Sequence, residues 1–277
     1  MTPPHSRIAR KQASAVLLLA LLLVSALPAL ADDASPAARA AADRLIAAYP
    51  DFLARRDGNL LVWRDGATMP IDDGKPVKSA DQLLNAPDLK DQFAAPYIPG
   101  PPAAAPAEND DPGRARFDPL FRKMYGDCQK GGVVGSLVTV PWLPKHGGGI
   151  IKASSINGLS DNLKQVSDEL DGLPDRFMPY LIPTAGVFNC RAIAGTGRAS
   201  MHSFAAAIDL NTTHAHYWRN AAPGAAGKLA YRNEIPFEIV DIFERHGFIW
   251  GGKWYHYDTM HFEYRPELLP PQAAKSP

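Results

Sequence analysis

The chain contains 277 residues, of which 46% are hydrophobic and 21% are charged, and its 29 basic and 29 acidic residues cancel. This composition is typical of a globular protein and excludes wholesale disorder, while the length allows one sizeable core with appendages or two small domains. Because the chain has no cationic surplus with which to hold phosphates, we do not expect a nucleic-acid partner.

The first 31 residues have the pattern of a secretory signal peptide. Three basic residues precede the apolar run AVLLLALLLVSAL, and the small-residue pattern Ala-Leu-Ala ends at position 31. We therefore predict a mature chain that begins near Asp32, carries three more acidic than basic residues, has no stable membrane span and is periplasmic or secreted. An uncleaved membrane anchor is the alternative, although the apolar run is short for a span and is broken by Pro28.

Cys128 and Cys190 are the two cysteines of the chain. An even pair in an oxidising compartment predicts a disulfide, and closure of the loop between them would contribute about 4 kcal/mol in the chain-entropy model. Two buried thiols are the alternative.

The first part of the chain predicts a mostly helical region over residues 32–94. Apolar residues at helical spacing behind a Ser-Pro start indicate one or two amphipathic helices over 35–56. The run NLLVW at 59–63 predicts a short strand, and turn residues follow at 72–74. Residues 95–116 begin with a Pro- and Ala-rich stretch, which predicts a linker or a long surface loop.

A denser pattern of elements follows over residues 117–269, with a short tail at 270–277. The runs DPLFRKMYG, INGLSDNLKQVSDELDGLP and PFEIVDIFERHG predict helices, and GSLVTVPWL and GGIIKASS predict strands. Because these strands and helices do not alternate regularly, the sequence predicts an α+β domain. Nothing in the sequence indicates an oligomeric state.

His202 and Asp209 are separated by seven positions around a run of alanines. Seven residues rise roughly 10.5 Å along a helix, and along a strand they span over roughly 20 Å and point to opposite faces. The two side chains can therefore reach one metal ion only if the chain turns back between them. The alanines would tolerate the close backbone approach, and Ile208 and Leu210 indicate that Asp209 enters a buried strand.

A second pair, Asp258 and His261, lies in a segment with extended character. Two His and one Asp can form a catalytic zinc site with three protein ligands and one open position for water. A further carboxylate beside the metal would take the proton from that water, and Asp258 suits this role. The other histidines are interpreted as surface or packing residues, which leaves a contribution from His214 or His216 to the site as the less favoured alternative.

At these residues the sequence resembles the VanY-like zinc D-alanyl-D-alanine carboxypeptidases and L-alanyl-D-glutamate endopeptidases, which share their fold with the Hedgehog signalling domain. The family signature is S-x-H-x-x-G-x-A-x-D, followed by [D/E]-x-x-H, often with a W-G-G-x-W turn before the second motif. The matching positions are Ser200, His202, Ala207 and Asp209, then residues 250–254, then Asp258 and His261. The resemblance covers roughly residues 180–268.

The resemblance implies an antiparallel sheet with flanking helices, to which this chain would add an N-terminal helical extension. It implies zinc ligation by His202, Asp209 and His261 and general-base catalysis by Asp258. Arg191 is the best match to an Arg that contacts the substrate and stabilises the developing oxyanion; Arg198 is its competitor, and Arg191 is favoured because its neighbours have strand character. Ser200 and Trp254 are predicted to contact the substrate, although the aromatic residues around Trp254 are equally compatible with packing.

The function implied is that of an exported zinc peptidase that acts on the stem peptides of peptidoglycan. Ala205 stands where the family has Gly, so this position cannot adopt positive φ freely. This departure favours an alternative, a catalytically inactive zinc-containing module that binds the cell wall. A zinc hydrolase for another small peptide or amide is a third possibility.

Overall fold

The computed structural model describes Met1 and residues 34–270, apart from 76, 194, 223 and 225–227. The chain divides into two units, residues 1–32 and residues 33–277, and all elements described below lie in the second. Apart from Met1, the predicted signal peptide lies outside the described residues, and so does the tail from residue 271.

The described part of the chain has α+β architecture, as predicted. Its α-helices are α1 (Pro36–Ala48), α2 (Ala80–Asn85), α3 (Asp118–Tyr125), α4 (Leu159–Leu170), α5 (Met178–Leu181) and α6 (Phe237–Arg245). Its strands are β1 (Leu53–Asp57), β2 (Leu60–Trp63), β3 (Thr68–Pro70), β4 (Leu137–Pro141), β5 (Ile150–Ser154), β6 (Ala207–Asp209), β7 (Phe248–Trp250) and β8 (His261–Tyr264). None of the described helices is long and apolar enough to cross a membrane.

The first helix is shorter than predicted, and a strand replaces its expected continuation. Ser35 caps α1 by accepting a hydrogen bond from the backbone N–H of Ala38, and the helix ends at Ala48. Pro50 follows, and proline cannot continue a helix because it lacks the N–H and its ring clashes with the preceding turn. Strand β1 then forms an antiparallel sheet in the order β1-β2-β3, so helix at residues 53–56 was a wrong prediction.

Residues 95–116 contain no helix or strand, in line with their composition, but this segment is anchored at several points. The indole N–H of Trp254 donates to the carbonyl of Pro112 at 2.6 Å, and the backbone N–H of Tyr255 donates to the carbonyl of Asp110 at 2.8 Å. Tyr97 is buried and donates from its hydroxyl to the buried Glu244 carboxylate. The segment therefore lies against the elements that carry the predicted site.

A three-stranded antiparallel sheet in the order β6-β8-β7 forms the centre of the predicted peptidase region. Phe262, in the middle strand β8, stacks on Phe243 of α6 with ring centroids 4.0 Å apart and lies 6.4 Å from the ring centroid of Trp250. Because side chains alternate along a strand, His261 and Glu263 point to the face opposite this apolar layer. The sheet thus separates a hydrophobic core from a polar site.

The predicted disulfide between Cys128 and Cys190 is present. Cys128 begins a short 3-10 helix after α3, and Cys190 directly precedes Arg191. The bond therefore fixes the segment that carries the predicted substrate-contacting Arg to a distant part of the chain.

Candidate metal centre and cleft

The turn between His202 and Asp209 is built from a 3-10 helix and one left-handed residue. The helix spans Met201–Phe204, and Ser200 caps it by accepting a hydrogen bond from the backbone N–H of His202. Ala205 follows with φ 51° and ψ 35°, which is left-handed backbone. The chain then enters β6, so it folds back between His202 and Asp209 as the spacing requires.

His261 reaches the same point through strand pairing. In the antiparallel register of β6 and β8, Asp209 lies directly opposite His261. Directly paired residues have Cβ atoms about 4.5–5.5 Å apart on the same face of a sheet. The backbone alone therefore places these two side chains together.

The ligand atoms of His202, Asp209 and His261 form a compact triangle. His202 Nε2 lies 3.1 Å from Asp209 Oδ2 and 3.2 Å from His261 Nδ1, and His261 Nδ1 lies 2.7 Å from Asp209 Oδ1. Ligand atoms bound to one tetrahedral zinc at about 2.0–2.1 Å are about 3.3 Å apart. The donor set of two imidazoles and one carboxylate, together with this spacing, fits a zinc ion with a fourth position open.

Each imidazole is oriented by a second partner. His202 Nδ1 lies 2.6 Å from the carbonyl oxygen of Val187 and must donate to it, which leaves Nε2 for the centre. His261 Nε2 lies 3.0 Å from Glu263 Oε1, which leaves Nδ1 for the centre. Arg116 in turn pairs with Glu263 at 2.8 Å. Such outer partners fix the ring orientation and the tautomer of metal-binding histidines.

The charges around the triangle favour a cation. Burial lowers the pKa of His261, but the carboxylates of Asp209 and Glu263 outweigh burial and raise it to about 10. Burial raises the pKa of Glu263, while Arg116 and His261 outweigh it and lower the pKa to about 2. A metal ion must displace the proton on His261, so metal affinity in this site should increase with pH.

Asp258 lines the same cavity as Asp209 and His261. Its carboxylate oxygen Oδ1 is buried and has no hydrogen-bond partner among the described residues. Burial raises the pKa of Asp258 to about 6, with a further increase from the Asp209 carboxylate and an opposing effect from His261. A carboxylate with a pKa raised toward neutrality and a free oxygen is suited to accept a proton from water.

The Gly-Gly turn of the WGGKW run allows the close approach of this segment. A Cβ at Gly251 would lie 2.6 Å from the backbone oxygen of Asp258, and a Cβ at Gly252 would lie 2.1 Å from the Trp250 ring. The backbone N–H of Asp258 donates to the carbonyl of Gly251 at 3.0 Å. Larger residues at either glycine would therefore displace the candidate general base or the indole beside it.

A cavity of about 310 Å³ opens over the triangle. The predicted site residues that line it are Arg191, Ser200, Asp209, Trp254, Asp258 and His261. Arg198 is not among the lining residues, and its guanidinium donates to the carbonyl of Arg114 at 2.7 Å. Arg191 lies in irregular backbone rather than in the expected strand, and its neighbour Ala192 forms an isolated bridge with Ala199.

Sequence reasoning missed four of the acidic and basic residues that line the cavity. Arg114 and Arg116 belong to the segment interpreted as a linker, and His256 was interpreted as packing. Glu263 could have been found, since it lies two positions after His261 and therefore on the same face of a strand. No pattern near Arg114 or Arg116 indicates their place in the cleft.

The remaining histidines of the described chain have partners away from the triangle. His146 lies 2.8 Å from Asp171, and His246 lies 2.6 Å from Glu169. His214 and His216 both face Glu234, at 3.5 and 2.8 Å. A separate acidic group, Asp72, Asp73 and Asp88, is paired with Lys78 and Lys90.

Replacement of Ala205 by Gly is expected to stabilise the protein by about 0.5–1 kcal/mol, because left-handed backbone is costly for Ala and the greater freedom of Gly in the unfolded chain cancels part of the gain. Chemical denaturation of the two proteins measures this difference. Ala206→Gly is the matched control, since Ala206 is buried and its φ is not positive. We expect the control to be destabilised, and a loss of stability in both variants would contradict the assignment of strain to Ala205.

A protein-family model described as D-alanyl-D-alanine carboxypeptidase matches residues 194–264. The matched segment contains His202, Asp209, Asp258 and His261. Comparison with curated proteins and with solved structures gave no match.

Proposed function

We propose that the chain is an exported zinc metallopeptidase that hydrolyses stem peptides of peptidoglycan, of the D-Ala-D-Ala carboxypeptidase or L-Ala-D-Glu endopeptidase type. The observation that carries this proposal is the convergence of His202, Asp209 and His261 within 4.8 Å of one another inside the segment matched by the carboxypeptidase model. The signal-peptide pattern and the disulfide support a periplasmic or secreted location.

The three residues of the triangle would hold the zinc through His202 Nε2, His261 Nδ1 and the Asp209 carboxylate. Zinc supplies Lewis acidity, which polarises a carbonyl and lowers the pKa of water. Val187 and Glu263 keep both imidazoles in the orientation that presents the correct nitrogen. Both imidazoles are therefore already turned toward the centre before a metal binds.

Asp258 Oδ1 would take the proton from the attacking water and pass it to the amine nitrogen of the leaving group. Its unpartnered, buried oxygen supports this role, because a carboxylate already satisfied by hydrogen bonds would be a weaker base. Arg191, on the wall of the same cavity, would stabilise the negative charge that develops on the carbonyl oxygen of the substrate.

The experiment that tests the proposal is mass spectrometry of muropeptides incubated with the purified zinc-containing protein. Loss of a terminal D-alanine identifies a carboxypeptidase, and fragments cut within the stem identify an endopeptidase. The matched control is the same protein treated with a chelator and then reloaded with zinc. Release of D-alanine or of stem fragments that does not depend on the metal would overturn the zinc mechanism.

The inactive wall-binding module is the second candidate, and the sequence feature that suggests it is Ala at position 205, where the family has Gly. The backbone at Ala205 has the left-handed conformation that glycine would adopt, and its N–H and C=O are bonded to His202 and Ser154. The methyl group therefore does not prevent the turn between His202 and Asp209. A protein that binds zinc and peptidoglycan but releases no fragment would favour the inactive module.

Arg191→Ala is expected to lower kcat by roughly ten- to a hundredfold with zinc content unchanged, because a charge that stabilises the developing oxyanion is lost. Arg198→Ala is the matched control, since Arg198 does not line the cavity. Steady-state kinetics and metal analysis of both variants provide the measurement. If Arg198→Ala had the larger effect on kcat, the assignment of Arg191 would be wrong.

A further inference from the structure

The backbone of Arg191 is held by one buried hydroxyl. Ser203 Oγ accepts a hydrogen bond from the backbone N–H of Arg191 at 3.0 Å and donates to the carbonyl oxygen of the same residue at 2.7 Å. That carbonyl also accepts from the backbone N–H of Ser200 at 3.1 Å. Ser203 is only 2% exposed and directly follows the candidate ligand His202. These bonds tie the backbone of Arg191 to the 3-10 helix that carries His202.

The disulfide is a second support of the same segment. Cys190 is exposed and directly precedes Arg191, and it is bonded to Cys128, which follows helix α3. Helix α3 packs against the 3-10 helix just described, where the ring centroids of Phe121 and Phe204 lie 6.1 Å apart. Both supports therefore rest on that 3-10 helix, the hydroxyl directly and the disulfide through α3.

The side chain of Arg191 depends on these backbone supports for its position. Among the described residues, the hydrogen bonds of Arg191 are all made by its backbone. Arg191 lines the large cavity over the triangle and also a smaller cavity of about 30 Å³, which Cys128 and Ser203 line as well. The smaller cavity leaves room into which Arg191 can shift when a support is removed.

A small shift of this Arg would be costly for the proposed reaction. A donor stabilises a developing oxyanion when it lies about 2.7–3.1 Å from that oxygen, and a misplacement of about 1 Å can lower a rate about a hundredfold. We propose that the Cys128–Cys190 disulfide and the Ser203 hydroxyl position Arg191 in the cavity over the triangle. Neither lines that cavity, so both act through Arg191 as positioning groups. The inference rests on the proposed peptidase function.

The experiment removes each support in the presence and in the absence of the Arg191 side chain. We expect Ser203→Ala and the double variant Cys128→Ser/Cys190→Ser each to lower kcat by roughly ten- to a hundredfold, with KM and zinc content nearly unchanged. In the Arg191→Ala background the same changes should lower kcat by less than about twofold, because the group that they position is already absent. An equal loss of kcat in both backgrounds would show a merely structural role and overturn the proposal.

Ser167→Ala is the matched control for Ser203→Ala. Ser167 is fully buried, and its Oγ accepts from the backbone N–H of Leu143 at 2.9 Å and donates to the carbonyl of Pro141 at 3.0 Å. It has the same two kinds of backbone partner as Ser203 but does not line either cavity. We expect a comparable loss of stability in both variants and a loss of kcat in Ser203→Ala alone. A loss of kcat in both would overturn the positioning role of Ser203.

Amide hydrogen exchange provides a readout that does not depend on turnover. In the double cysteine variant the amides of Arg191 and Ile193 should exchange faster than in the wild type, while those of β8 keep their protection, because a local opening leaves the remaining structure folded. Unchanged exchange at these two amides together with unchanged kcat would overturn the positioning and leave the peptidase function intact. Faster exchange in the variant of a protein whose wild type cuts no stem peptide would support the positioning and overturn the peptidase function alone.

Discussion

Replacement of Asp258 by Asn is expected to reduce peptide hydrolysis by roughly 10²–10⁴-fold, the usual contribution of a positioned general base. Asn has the same shape but cannot accept a proton at the atom that corresponds to Oδ1. Zinc content should stay at the wild-type level, because Asp258 does not belong to the triangle of ligand atoms. Metal analysis and steady-state kinetics on the same preparation test both expectations.

His261→Ala is the companion variant and should lose both activity and zinc. The contrast between the two variants separates a group that accepts a proton from a group that binds the metal. Equal loss of metal in both would show that Asp258 is a ligand. Retention of substantial activity in Asp258→Asn would show that another group accepts the proton.

Replacement of Glu244 by Ala is expected to lower the free energy of unfolding by about 3–5 kcal/mol, the usual cost of leaving one member of a buried ion pair alone. The Glu244 carboxylate accepts from the ammonium of Lys253, the hydroxyl of Tyr97 and the backbone N–H of Gly100. The side chains of Glu244 and Lys253 are only 3% and 7% exposed. Chemical denaturation measures the loss.

The loss of unfolding free energy caused by Glu244→Ala should become smaller as the pH increases. Burial lowers the pKa of Lys253 below that of the unfolded chain, an effect that the Glu244 carboxylate partly cancels. Between the two pKa values the unfolded state binds more protons, so stability increases with pH there. Without Glu244 the pKa of Lys253 in the folded protein drops further, and the difference in stability from wild type should narrow as the pH increases through the interval between the folded pKa values of the variant and of the wild type.

Two controls test this interpretation. Adding Lys253→Met to Glu244→Ala should recover part of the lost stability, since the unpaired ammonium is removed. Asp241→Ala, on the same helix but with an exposed side chain paired to Arg245, should change stability by less than about 0.5 kcal/mol. A double variant less stable than Glu244→Ala would argue against the buried charge as the cause.

Elements with a strong period were predictable from the sequence, and so was the reversal of the chain between His202 and Asp209. Helices α3, α4 and α6 and strands β4 and β5 lie in the runs that predicted them. The spacing of His202 and Asp209 required a reversal of the chain, which Ala205 provides. The helices and strands are local features. The chain reversal follows because neither a helix nor a strand could bring two side chains seven residues apart to one metal ion.

Long-range polar contacts could not be predicted in the same way. The pairing of Arg116 with Glu263 joins residues far apart in the chain, and neither lies in a pattern that identifies the other. The anchoring of residues 95–116 was missed for a related reason: a Pro- and Ala-rich composition excludes regular structure but says nothing about which carbonyls accept bonds from Trp254. The early end of helix α1 could have been predicted from Pro50. It was missed because the apolar residues continue at helical spacing beyond this proline.

The partners that orient the imidazoles of His202 and His261 determine how much of the chain a transfer of this centre to another protein would have to include. Val187 and Arg116 both lie outside the segment 194–264 that the family model matches. A graft of residues 194–264 onto another scaffold would carry every candidate ligand but would leave His202 without its acceptor and Glu263 without its counter-ion. The smallest transferable module would therefore have to include the Pro-rich segment, although no ligand or general base lies in it.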